Sequence, residues 1–231
     1  MQKNAINLTR IEEVTHLDPF NNEEEMEKLA TGKTTPPEIL LALAKNECNH
    51  LIAPALAAHL KMPLEGLALL SRCTDYYTRY LLTQNPHTNI EILCILASDS
   101  SYMVRAGVAR RPETPTDVLI RLAKDQHSPI ITALCMNPST PSEALNIIAN
   151  PNHGGTLPKH LRMIAAHHNA SPKLLTLMTN EEWYRCWAKQ SAKSWDDALL
   201  PQYYNSPFSS TDFSRLQDAI AKSPVSQKKC Q

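Results

Sequence analysis

Residues 85–109 read NPHTNIEILCILASDSSYMVRAGVA, residues 111–135 read RPETPTDVLIRLAKDQHSPIITALC, and residues 137–150 read NPSTPSEALNIIAN. At an offset of 26 residues the three copies match one another. Self-similarity at a fixed period marks a repeat architecture, in which each unit buries its apolar face only against its neighbours. The pattern predicts an all-α solenoid of two-helix repeats about 26 residues long.

Working outward, the segments TTPPEILLALA, MPLEGLALLS, HTNIEILCILA, ETPTDVLIRLA and STPSEALNIIA align on one acid: Glu38, Glu65, Glu91, Asp117 and Glu143. Leu40, Leu67, Leu93, Leu119 and Leu145 follow two positions later, and Leu43, Leu70, Leu96, Leu122 and Ile148 five positions later. A small residue comes next: Ala44, Ser71, Ala97, Ala123 or Ala149. This spacing puts the apolar residues on one helical face, with the small residue admitting the neighbouring repeat. Thr114–Pro115–Thr116–Asp117 and Thr140–Pro141–Ser142–Glu143 read as capping boxes, with the hydroxyl at the N-cap, proline at N1 and the acid at N3. A shorter second helix is expected from Ile52, Thr78, Val104 and Ile130, with Leu56, Leu82, Val108 and Leu134 behind them, then Ala57, Thr83, Ala109 and Cys135. It should stop at His59, Asn85, Arg111 and Asn137; proline follows in three of the four, and a residue before proline is pushed out of the helical region.

The pattern resembles the leucine-rich repeat variant family, whose unit reads roughly NPxTPxEVLxxLAxDPxxxVRxAVAxNP. The match is carried by Asn85–Pro86, Glu91–Ile92–Leu93, Leu96–Ala97, Asp99, Val104–Arg105, Val108–Ala109, Pro112, Thr114–Pro115, Asp117–Val118–Leu119, Leu122–Ala123, Asp125, Asn137–Pro138, Thr140–Pro141, Glu143 and Leu145. It is strong over 85–149 and weaker over 34–84 and 160–180. The resemblance implies a right-handed superhelix of paired α and 3₁₀ helices, akin in shape to HEAT arrays, and implies no single function. The iron–sulfur cysteine cluster of one founding type is not carried over, since no cysteine precedes Cys48.

Around the repeats the chain changes character. Residues 1–33 form an acidic capping segment, with seven acids against three bases before residue 31. Within it EEEMEKLA is expected to be a helix capped by Asn21 or Asn22. Residues 34–180 hold the five to six repeats. The stretch NPNHGGTLPKH at 150–160 breaks the period, and inserts in repeat arrays tend to map to a binding face. Residues 181–231 make an aromatic-rich C-terminal cap and a disordered tail, with a helix expected over Phe213–Ile220.

Composition bounds the function. The formal net charge is zero, which argues against a nucleic-acid partner. No apolar run reaches the roughly 18 residues of a membrane span, and the N-terminus lacks a secretory h-region, so a cytoplasmic chain with reduced thiols is expected. Five glycines against 17 prolines leave little material for a phosphate loop.

Candidate site residues are few. Arg79 and Arg105 stand 26 apart and should be neighbours, with Arg110 and Arg111 close by. Such a row suits phosphate or an acidic peptide, although Asp75, Asp99 and Asp125 recur at the same period and can neutralise it through internal ion pairs. Trp183 and Trp187 share a helical face, either as part of a cap over the last repeat or as an exposed anchor for a partner. His153, His160, His167 and His168 lack companion ligands at metal spacing and read as turn and surface residues. No catalytic motif, metal site or cofactor site emerges. The reading is a non-catalytic protein–protein interaction scaffold or adaptor. Two other classes stay open. One is a nucleic-acid-binding module or a DNA glycosylase on HEAT-like repeats, for which Trp195–Asp196–Asp197 supplies only residue types. The other is a regulatory subunit of a separate enzyme.

Overall fold

The computed structural model describes residues 23–45, 50–185, 187 and 210–227. Among these residues every regular element is a helix. The chain divides into two compact units, Met1–Val108 and Ala109–Gln231.

In the first unit α1 (Glu23–Thr31) precedes three helix pairs: α2 (Pro37–Lys45) with α3 (Ala53–Ala58), α4 (Leu64–Leu70) with α5 (Tyr76–Gln84), and α6 (Ile90–Leu96) with α7 (Tyr102–Arg110), whose last two residues cross the division. First helices stack on first helices, as α2 does on α4, and second helices on second helices, as α3 does on α5. The acidic helix α1 lies against both α2 and α3 through buried Met26 and Ala30, and its four glutamates are exposed. Its proposed caps, Asn21 and Asn22, fall outside the described residues.

The second unit repeats the scheme with α8 (Thr116–Leu122) and α9 (Ser128–Met136), then α10 (Ser142–Ile148) and α11 (Pro158–Ala166), and then α12 (Pro172–Met178). Here α8 stacks on α10 and α9 on α11. Helix α13 (Ser210–Ala221) packs on α11 and α12 and is followed by the short α14 (Pro224–Gln227). Helix α13 is longer than the sequence pattern indicates, and α14 puts order into a stretch expected to be a disordered tail.

The predicted core columns are where the period puts them. The five residues two after the acid, Leu40 to Leu145, are each fully buried, and so are their partners five after it, to within a few per cent. The small-residue column is buried as well, and the second-helix columns at Ile52, Leu56 and Ala57 repeat in every pair. Each buried leucine removes enough apolar surface to contribute about 1.5–3 kcal/mol, so the interior alone fixes the register. The acids Glu38, Glu65, Glu91, Asp117 and Glu143 sit exposed in the first turns of their helices, where the positive end of the helix dipole favours them.

Two local expectations are corrected. Only the first pair has the shorter second helix, with nine residues in α2 and six in α3; after it the second helices are the longer ones, since α5, α7, α9 and α11 have nine residues, against seven in α4, α6, α8, α10 and α12. Second, the threonine before the proline is not the N-cap. Helices α8 and α10 start one residue later, with Pro115 and Pro141 in the cap position and no side-chain cap bond. The hydroxyl turns back instead. Thr88 Oγ1 donates to Leu82 O and Thr140 Oγ1 to Leu134 O, each at 2.7 Å, and Thr35 Oγ1 donates to Leu29 O at 2.7 Å. These carbonyls are among the orphans at a helix C-terminus, and burial makes leaving them unpaired costly. The capping pattern does hold at Ser171–Pro172, where the Ser171 hydroxyl accepts from Leu174 N–H.

Candidate functional site

The first candidates are the arginines of the second helices. Arg79 Nη1 donates to Cys73 O at 2.6 Å and Thr74 O at 2.9 Å, in the link between α4 and α5. Its Nε and Nη2 hold Asp99 at 2.5 and 2.9 Å in a forked pair, and both side chains are largely buried. One repeat later, Arg105 Nη1 donates to Asp99 O at 2.7 Å and Ser100 O at 3.1 Å. The geometry recurs once at the 26-residue period, in the two repeats that carry an arginine at this register position. Burial opposes the charge on Asp99. The Arg79 guanidinium, the Ser101 N–H and the charges of Arg79 and Arg105 outweigh it and hold the carboxyl below its ordinary range. Arg111 Nε pairs with Glu113 at 3.0 Å, and Arg110 ends α7 exposed. Arg79 and Arg105 therefore meet across Asp99 and are bound into the fold rather than presented to a ligand.

The aspartates of this ladder share a local task. Asp75, Asp99 and Asp125 each accept from the backbone N–H two residues on, that of Tyr77, Ser101 or His127, at 3.1, 2.8 and 3.0 Å. These are Asx turns at the entry to the second helix, favoured because aspartate bonds its own chain two residues ahead.

The tryptophans separate. Trp187 is 0% exposed, so it is a core residue and not a surface anchor. It stacks on Tyr184, which also meets Phe213 of α13 at a centroid distance of 5.1 Å. Trp183 is half-buried. It lies on the wall of an open pocket of about 280 Å³ with Asn146, Asn150, Ser171, Lys173 and Leu177. Trp195, Asp196 and Asp197 lie outside the described residues.

The histidines are turn residues in part, but three of them are not surface residues. His160 is completely buried, and His153 and His167 nearly so. Their rings reach back to the preceding repeat: His153 Nε2 lies 2.8 Å from Ala123 O, His160 Nε2 3.0 Å from Thr132 Oγ1, and His167 Nε2 2.9 Å from Asn137 O. Burial, aided by the charges of Lys159 and His153, pushes His160 down to about 3. Burial also lowers His167, with the Asn137 carbonyl opposing and the stacked His168 assisting. The 150–160 insert is thus a clamp rather than an exposed binding loop. Gly155 and Thr156 are buried, and a Cβ at Gly155 would run into Gln126 O. Among the described residues no group of histidine, cysteine and acid could hold a metal ion. Cys135 is pushed up to about 12 by burial, which removes its thiolate character.

What the apolar pattern does not anticipate is on the outside of the first unit. Leu51, Tyr77 and Met103 occupy one register position in successive repeats, and Tyr76 and Tyr102 occupy the position before it. All five are exposed, Leu51 by 59%, Tyr76 by 51% and Tyr77 by 50%. Leu64 and Ile90, the first residues of α4 and α6, form a further exposed column. The signal was present as a period-26 recurrence of large apolar residues on the polar side of the helix pattern.

No family model matches this chain, and neither does any curated protein or any solved structure. Among the described residues no helix is long and apolar enough to cross a membrane.

Proposed function

We propose that this protein is a non-catalytic interaction scaffold whose first unit docks a protein partner. The observation that carries the reading is the pair of exposed columns Leu51, Tyr77, Met103 and Tyr76, Tyr102. Solvent gives no reason to keep large apolar side chains at equivalent outward positions over three repeats, whereas a contiguous apolar patch is the usual mark of an interface. Tyrosine is also among the residues that dominate binding energy in protein interfaces. The stacked helix pairs support an α-solenoid of the leucine-rich repeat variant type, a right-handed superhelix in the cytoplasm, as the frame that sets these columns in line. A nucleic-acid or glycosylase role draws less support. Arg79 and Arg105 spend their donors on carbonyls and on Asp99, which leaves less charge for phosphates.

The test compares capture of partners from native, nuclease-treated lysate by the wild type and by the Tyr76→Ser/Tyr77→Ser/Tyr102→Ser variant. A protein held by the wild type and lost from a variant with an unchanged thermal melt supports the scaffold. Equal capture by both, or recovery of nucleic acid alone before nuclease treatment, rules it out and makes a glycosylase assay the next step.

A further inference from the structure

The turns after α3, α5, α9 and α11 each carry one residue with two bonding duties; after α3 it is His59, which accepts from Lys61 N–H at 3.0 Å with Nε2 3.2 Å from Gly32 O. Asn85 Oδ1 accepts from His87 N–H at 2.9 Å, and its Nδ2 donates to Ala57 O at 2.8 Å and His59 O at 3.3 Å. Asn137 repeats this, accepting from Ser139 N–H at 2.9 Å and donating to Ala109 O and Arg111 O at 2.8 Å. Each asparagine holds its own turn and ties it to the turn one repeat earlier.

At the next turn a histidine takes over. His167 Nδ1 accepts from Asn169 N–H at 3.1 Å, and Nε2 lies 2.9 Å from Asn137 O. The backbone assigns the hydrogens. An N–H donates only to a bare ring nitrogen, and a carbonyl accepts only from a protonated one, so the ring is neutral with its hydrogen on Nε2. In that form imidazole copies the amide, with one acceptor and one donor. His160 is fixed in the same way. Its Nδ1 accepts from Leu157 N–H at 2.9 Å at the start of α11. Its Nε2 donates to Thr132 Oγ1 at 3.0 Å, since that hydroxyl gives its own hydrogen to Ser128 O.

We propose that His160 and His167 are acid-labile joints between successive repeats of the second unit, so that mild acid opens the segment 157–178 while the joint at Asn85 in the first unit holds. A proton on Nδ1 would face a backbone N–H, donor against donor, and the bond must break. An amide takes no proton in this range, so an asparagine joint is indifferent.

The surroundings offer the cations nothing. His160 has Lys159 beside it on α11 and His153 from the insert, both of which oppose a positive charge. Helix α9 presents Thr132, and its Cys135 is a protonated thiol. Helix α13 buries Leu216 and Ile220, while its Arg215 and Asp218 are exposed. His167 faces the stacked ring of His168 and the Asn137 carbonyl, and Lys173 on α12 and Glu143 on α10 are exposed. No carboxylate pairs with either ring among the described residues. Both rings resist protonation in the fold, whereas the unfolded chain takes up protons from about pH 6.5 downward. Stability from these joints is therefore full above that pH and falls below it, by about tenfold in the opening equilibrium per pH unit for His160, with His167 adding in the same direction.

The experiment is hydrogen exchange with mass-spectrometric readout on the full chain at pH 7.5 and 5.5, with rates corrected for intrinsic exchange. The expected result is an increase in opening of 157–178 of at least about tenfold, with 80–96 changing little. His167→Asn restores the amide and should remove part of that increase. Adding His160→Gln should remove most of the rest. Acid opening that is absent in the wild type, or undiminished in the double variant, overturns the proposal. Should the variants not fold, nitrogen-15 shifts of the wild-type imidazoles decide it. Both rings should be neutral with the hydrogen on Nε2 while the segment is still protected at pH 5.5, and a cationic ring in the protected state overturns it.

Discussion

Tyr76 and Tyr102 in the first unit hold the register position that Ser128 holds in the second, and Tyr77 and Met103 hold that of Pro129. One position column over, Thr78, Val104 and Ile130 are all buried alike. The two units therefore repeat the same interior pattern and part company on the outside. Their joints overlap: Asn85 and Asn137 tie a turn in either unit, and His59 in the first unit accepts from Lys61 N–H at 3.0 Å with its Nε2 3.2 Å from Gly32 O, as His167 does in the second, but His59 is only half-buried where His167 is nearly enclosed. In a repeat protein the interior is held constant because each layer must fit the next. What varies at a fixed register position is under no such constraint, and that is where function and regulation can be placed. By this logic the first unit is differentiated for contact, and the second by the burial of its histidine rings.

The largest expected effect tests the shared interior. Leu93→Ala and Leu145→Ala remove equivalent fully buried side chains, one from each unit. Each should cost about 2–5 kcal/mol in urea unfolding. Costs that fall outside that range in one unit only would mean the two interiors are not equivalent.

Next comes the arginine ladder, which the second unit lacks because Ile131 stands in its place. Arg79→Ala leaves Asp99 with its carboxylate largely buried and only the Ser101 N–H still bonded to it, at a cost of about 1–3 kcal/mol. The pH dependence separates this from the histidine joints. The folded-state carboxyl of Asp99 is held below the ordinary aspartate value of 3.8, so its contribution is full above that pH and lost as the pH falls through the lower folded value. The histidine contribution starts to fall near pH 6.5. Acid titration followed by residue-resolved exchange should accordingly open 157–178 well before 73–105. Simultaneous opening would erase the distinction between the units.

Much of this frame was legible in the chain. Positions such as Leu40, Leu119 and Ala123 announce themselves because burial selects residue type, and a period exposes the selection. The polar joints were harder to read. Asn85 and Asn137 could be recognised as turn residues from the proline that follows, but their bonds to carbonyls 26 and 28 residues earlier are tertiary contacts that no local rule contains. The buried histidines were misread for the same reason. His160 is polar and lies just after a glycine-containing insert, and only the packing of α11 on α9 shows that it is inside. The threonine hydroxyls were legible as bonding groups, but their direction was not. A Thr–Pro pair fits an N-cap as well as it fits closure of the preceding helix. The exposed columns were written in the sequence as plainly as the core. Periodicity on the outer face carries no burial signal, so a rule built on the core does not pick it out.

The insert offers a smaller test. Gly155→Ala places a methyl group against Gln126 O, a backbone atom that cannot swing aside. The clamp must shift, at about 1–3 kcal/mol. The cost should appear as faster exchange at 150–157 and leave the first unit untouched. A neutral substitution would show that the insert is loosely held, and the histidine joints beside it would lose part of their burial.

The smallest effect on stability carries the most information about function. Tyr77→Ser and Met103→Ser change side chains whose surface is already substantially in water, so each should stay within about 0.5 kcal/mol of the wild type. Removal of one central aromatic anchor from an interface commonly costs 2 kcal/mol or more in binding, about thirtyfold in Kd. The serine variants should therefore lose a captured partner while melting as the wild type does. The matched control is Pro129→Ser, at the same register position in the second unit, which should leave capture intact. If Pro129→Ser weakens capture as much as Tyr77→Ser, the contact face runs through both units and the outer surfaces are less differentiated than their residues suggest. If neither matters, the exposed columns serve something other than the partner.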